Sequence, residues 1–130
     1  MVLYDSSVLI DYLDGVDSVL TYIEGHADER AVTIPLVLFE VYQGEVYKSG
    51  SLDLAAVDDA LDWIDVVDES AVLARDAAEL LDFLASRGSA FAARDAYIAG
   101  AAAGLEQRLA VSDADFDTDA LRERVEIDLL

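Results

Sequence analysis

Met1-Val-Leu-Tyr-Asp-Ser-Ser-Val-Leu-Ile-Asp11 is the stretch from which the rest of the chain can be read. Val2 to Tyr4 is a short apolar run of the kind that forms a buried strand, and from Ser7 onward the apolar residues recur at helical spacing. Asp5 therefore stands at the C-terminal end of a strand. In an open α/β sheet that end faces the ligand crevice, so Asp5 is either a helix cap or a functional carboxylate.

Further strands follow the same pattern. Ala31-Val-Thr-Ile34 reads as a second buried strand, Asp65 to Asp68 as a short third, Arg108 to Val111 as a fourth and Val125 to Leu129 as a fifth. Between them lie helical patterns over Ser7–Leu13, Val16–Ile23, Pro35 to about Lys48, Leu52 to about Trp63, Glu69–Arg87, a stretch opening at Asp95, and Asp119–Arg124. Lys48-Ser-Gly-Ser51 reads as a turn, and Pro35 suits the first position of its helix, where a missing N–H costs nothing. In the Glu69–Arg87 helix, Leu73, Ala77, Leu80, Leu81 and Leu84 form the inward stripe. Helices between strands predict a parallel sheet covered on both faces, within one domain spanning residues 1–130.

Three more acids occupy unusual places. Glu40 is surrounded in sequence by Leu36, Val37, Leu38, Phe39, Val41 and Tyr42, so its helix is expected to be buried. A buried carboxylate needs a cation, a donor or a metal, and one of the seven arginines is a candidate partner. Gly44 removes a side chain one turn further on. Asp95 opens a helix of small residues with Gly100 and Gly104 a turn apart, a pattern that demands close packing; Asp95 either meets the helix dipole or points inward. Asp113 and Asp115 follow the strand ending at Val111. They do not form an EF-hand, since Thr118 and Arg124 would stand where that motif has glycine and glutamate. His26, the sole histidine, lies in a polar loop and is read as solvated.

Right-handed crossovers bring the strand ends to one side, so Asp5, Glu40, Asp95 and Asp113 converge in one crevice. Like charges so close raise one another's pKa unless cations intervene. Without Cys or neighbouring His, such an all-oxygen set suits Mg2+ or Mn2+ rather than zinc. Carboxylate-bound metal can activate water against a phosphoryl centre.

These residues carry a resemblance. Leu3-Tyr4-Asp5-Ser6-Ser7-Val8-Leu9-Ile10-Asp11 is similar to the first motif of PIN-domain proteins, and Phe39-Glu40-Val41-Tyr42-Gln43-Gly44 to their central glutamate followed by glycine. Arg94-Asp95-Ala96-Tyr97-Ile98-Ala99 resembles the third acidic motif, and Leu109 to Phe116 the fourth, with Val111 where a threonine is usual and Ser112 a partial replacement. The nearest likeness is to VapC-type toxins.

The resemblance implies an α/β, PIN-like three-layer fold with sheet order 3-2-1-4-5, and a Mg2+- or Mn2+-dependent endoribonuclease. It further implies the toxin component of a type II toxin–antitoxin pair, forming a homodimer and held by a cognate antitoxin. By motif position Asp5 and Asp95 would be the metal ligands, and Glu40 and Asp113 would complete the catalytic acids. Ser7 and Ser112 would assist them, Asp115 would be an auxiliary ligand, and Arg94 is the arginine best placed to contact RNA. A phosphatase of the haloacid-dehalogenase type would need a second Asp where Ser7 stands, and a receiver domain would need a lysine after its last core strand. The alternative from another class is a non-catalytic PIN-like binding module.

Composition bounds these readings. The 130 residues include no cysteine, which points to a reducing compartment. No leader pattern and no apolar run near the roughly 20 residues of a membrane span is present, so a soluble cytoplasmic chain is expected. Eight Lys and Arg stand against 28 Asp and Glu, for a net charge of −20, yet 55% of the residues are hydrophobic, enough for a core. Acids spread over the whole chain suggest a halophilic source, and they make phosphate binding depend on metal, salt or a few arginines. The unfolding midpoint is therefore expected to rise with KCl; full stability at low ionic strength would refute the halophilic expectation.

Overall fold

The computed structural model describes residues 1–48, 50–68 and 70–130. The turn predicted through Ser49 and the helix start predicted at Glu69 lie in part outside them. The chain runs β1 (Val2–Tyr4), α1 (Ser6–Leu13), α2 (Asp17–Gly25), β2 (Ala31–Thr33), α3 (Pro35–Val46), α4 (Leu54–Ala60) and β3 (Asp65–Val66). It continues through α5 (Ala71–Ser86), α6 (Ala93–Gly104), β4 (Arg108–Val111), a 3-10 turn at Ala114–Phe116, α7 (Asp119–Arg122) and β5 (Ile127–Leu129).

All five strands are parallel, in the order β3-β2-β1-β4-β5. The opening strand is thus the centre of the sheet, which accounts for its unbroken apolar character. Leu3 stands in register with Val32 on one side and Leu109 on the other, and Val2 and Leu3 are fully buried. The connection from β3 to β4, made by α5 and α6, carries the chain back past the centre, so the winding reverses between β1 and β4. Ligands bind at such a reversal in open α/β sheets.

The helices pack in two groups, α1 against α2 and α3 with α3 also touching α4, and α5 against α6. The second seam is very tight. A Cβ on Gly100 would lie 2.5 Å from Ala77 Cα, so the α5 backbone occupies the space a side chain would need. The close packing expected from Gly100 and Gly104 is therefore present.

Three local expectations are corrected. The α3 helix is not buried all round: Val37 and Val41 face the core, whereas Phe39 is 58% exposed, because α3 covers only part of the sheet and meets few neighbours. Leu81 is not part of the inward stripe but is 37% exposed, one position beyond the buried Leu80. His26 is not simply solvated: it stacks on Tyr22 with ring centroids 3.9 Å apart, and its Nδ1 lies 2.7 Å from the Tyr22 carbonyl.

The Gly100 contact sets an unusual sign. Glycine to alanine in a helix interior ordinarily stabilises by up to about 1 kcal/mol. Here Gly100→Ala is expected to destabilise by about 1–3 kcal/mol through overpacking against backbone. Gly104→Ala meets mainly the movable Asp76 carboxylate and is expected to cost far less. Denaturant melts of the two variants check the contrast.

Candidate active site

Asp5 leaves β1 in an extended conformation and caps α1, so the cap and the candidate functional carboxylate are the same residue. Its backbone N–H donates to the Ala110 carbonyl at 3.0 Å, carrying the sheet pairing up to the edge of the crevice. Its carboxylate accepts from the Ser7 backbone at 3.1 Å and from the Ser7 hydroxyl at 2.5 Å. The same Ser7 oxygen accepts from the Ser112 backbone N–H at 2.9 Å. One hydroxyl therefore fixes the Asp5 carboxylate and ties it to the end of β4. Ser112 contributes through its backbone; its own hydroxyl is buried with no partner among the described residues.

Asp5 is 3% exposed. Burial pushes its carboxyl above the ordinary range, the Ser7 and Ser6 hydrogen bonds pull it back, and the charge of Asp113 pushes it further up. Asp95, in the first turn of α6, is raised by burial and then by Asp5, Asp113 and Asp115, with Arg94 opposing. Glu40, in the middle of α3, is raised by burial, with Arg94 opposing and Asp5 and Asp95 adding to the rise. Asp5 thus feels the charge of Asp113, Glu40 those of Asp5 and Asp95, and Asp95 those of Asp5, Asp113 and Asp115. Asp113 caps the 3-10 turn by accepting from the Asp115 backbone at 2.9 Å.

The arginine partner considered for Glu40 is Arg94, whose Nη2 lies 2.8 Å from Glu40 Oε2. Arg94, read from sequence as an RNA contact, is thus engaged with an acid of the site. The second oxygen, Glu40 Oε1, is buried with no partner among the described residues. Gly44 leaves open space, since a Cβ there would meet only Ile10, at 3.9 Å.

Among the described residues no three acids are gathered closely enough to enclose an ion by themselves. The donor set is nonetheless all carboxylate oxygen, Asp5, Glu40 and Asp95 are each pushed up in part by neighbouring carboxylates, and one oxygen is buried without a partner among the described residues. That chemistry fits a hard divalent cation, whose charge would relieve the repulsion. Beside the acids runs a cleft of about 400 Å3 lined by Phe91, Ala92, Asp95, Asp115 and Thr118 among others. Sequence reading missed Phe91 and Thr118, which sit in loops without any motif. The Phe91 ring is braced edge-to-face on the buried Phe116.

No protein-family model matches the chain, and no curated protein matches it either. Solved structures do. VapBC2 from Rickettsia felis, bound to a DNA fragment from its promoter, superposes with a TM-score of 0.83 at 18% identity, covering 99% of this chain and 98% of that one. FitAcB from Neisseria gonorrhoeae gives 0.82 at 18% identity, with 98% and 96% covered. VapBC-5 from Mycobacterium tuberculosis, a member of the VapBC family of toxin–antitoxin systems, gives 0.69 at 24%, with 98% and 97% covered. Near-complete superposition, the sheet order and the winding reversal agree: the chain has the PIN-domain fold of VapC-type toxins.

Proposed function

We propose that this chain is the toxin of a type II toxin–antitoxin pair and acts as a Mg2+- or Mn2+-dependent endoribonuclease. The observation that carries the reading is Asp5, a buried carboxylate at the end of the central strand, held by Ser7 and electrostatically coupled to Asp113, Glu40 and Asp95. A purely structural carboxylate does not normally share its surroundings with the charges of three others. Asp5 and Asp95 would hold the cation, which when bound would neutralise phosphoryl charge and activate water.

The protein's own part is orientation. Ser7 fixes the Asp5 carboxylate, Glu40 and Asp113 complete the acidic wall and position the attacking water, and Asp115 borders the cleft that would take the RNA strand. Arg94 can lend its guanidinium to a phosphate only by loosening its pair with Glu40. The cognate antitoxin is supported by the VapBC-type complexes that share the fold. A homodimer is supported by exposed apolar side chains, among them Phe39, Val46 and Tyr47. Among the described residues no helix is long and apolar enough to cross a membrane.

Incubating antitoxin-free protein with total RNA at high KCl is expected to yield discrete cleavage with Mn2+ and none with EDTA. Asp95→Ala should lose roughly 100-fold or more in rate, and Ser7→Ala about 10–100-fold, because it acts through Asp5. Metal binding without cleavage of any RNA would favour the binding-module reading instead.

A second expectation concerns pH in chelated buffer. Carboxyls whose folded-state pKa is raised stabilise the fold fully below their unfolded pKa, and lose that contribution as pH rises through the folded value. Asp5, Glu40 and Asp95 all shift in this direction. Removal of metal should therefore leave the protein more stable in mild acid than at neutral pH with respect to these groups. Asp95→Asn should flatten the profile, and Mg2+ should restore stability at neutral pH. Thermal melts that fall on acidification in a manner Asp95→Asn does not alter would contradict it.

A further inference from the structure

A second cavity, of about 420 Å3, shares no residue with the acidic crevice. Tyr4, Trp63, Ile23 and His26 line it, together with Glu24 and Glu29. Two features make it more than a surface hollow. Tyr4 is 2% exposed and lines the cavity, and its hydroxyl is not sealed away from it. A phenol presented there can accept a hydrogen bond from an occupant of the cavity. The Tyr4 ring also meets Trp63 edge-to-face at 5.3 Å, so the wall is rigid and aromatic.

The polar atoms around this wall are mainly acceptors. His26 Nδ1 faces the Tyr22 carbonyl at 2.7 Å and must carry the proton in that contact, which leaves Nε2 as a lone pair whenever the ring is neutral. Among the described residues Glu29 makes only long ion pairs, 3.6 Å to Arg108, 3.8 Å to His26 and 3.8 Å to the Met1 amino group, so its oxygens remain able to accept hydrogen bonds. Arg30, the one arginine or lysine among the described lining residues, is engaged by Asp65 at 2.9 Å.

We propose that this cavity binds a small molecule bearing a flat guanidinium group. A planar cation lies against aromatic walls, its forked donors match a carboxylate, and an ammonium has neither property. Tyr4 Oη, His26 Nε2 and Glu29 are the acceptors available to the fork.

The test titrates the whole chain with arginine amide and follows the emission of Trp63, the only tryptophan. A saturable change is expected, at least tenfold weaker for lysine amide and at least tenfold weaker in Glu29→Gln and in Tyr4→Phe. The ring protons of His26, the sole histidine, should shift in parallel in NMR spectra of the unmutated protein, which keeps the test decisive if a variant fails to fold. An acetylated and amidated Gly-Arg-Gly peptide separates the sources of the guanidinium. Binding by the peptide but not by arginine amide overturns the assignment to a free small molecule. A linear response equal for arginine and lysine amides, or His26 signals that do not move, overturns the site.

Discussion

The Ser7 hydroxyl is the interaction on which the candidate site depends. It donates to the Asp5 carboxylate and accepts from the Ser112 N–H, so a single oxygen joins the ends of the two strands between which the sheet reverses its winding. A carboxylate buried as deeply as Asp5 is tolerable only where donors are fixed in place beforehand. Ser7 can be fixed because it lies in the first turn of the helix that Asp5 itself caps. Capping, sheet pairing and the placement of charge are therefore one local arrangement.

This explains why the centre of the fold was legible in sequence. An apolar run ending in Asp-Ser-Ser carries the strand, the cap and the bridging hydroxyl within a few residues, and Asp113 follows closely on the end of β4. The features less well read depend on distance. Glu40 and Arg94 are far apart in the chain, and nothing near either one announces their pairing. Apolar residues on every side of Glu40 suggested a buried helix, but burial needs something to cover each face, and α3 leaves Phe39 uncovered. Phe91 belongs to a loop whose shape comes from what it packs against, and no periodicity encodes that.

The acidic surface obeys a different constraint from the acidic crevice. Outside the crevice the acids share few cations; Arg108, for instance, is divided among Glu29, Glu126 and Asp128 at 3.3–3.6 Å. Partly exposed pairs of this kind are worth at most about 1 kcal/mol each. They temper the repulsion of a chain with net charge −20 without deciding its fold. In the crevice the same repulsion falls on Asp5, which is buried and so less screened by water.

The seam between α5 and α6 also limits how this protein can vary. Where two side chains collide, a second change that shrinks the neighbour can restore the fit. At Gly100 the obstructing atom is the Cα of Ala77, which no substitution can remove. Position 100 thus has no suppressor at position 77, and the two helices can diverge elsewhere only while this point of contact keeps its glycine. Since Asp95 is carried on the first turn of the same α6, a point in the seam that cannot drift also helps to hold that acid's helix in place.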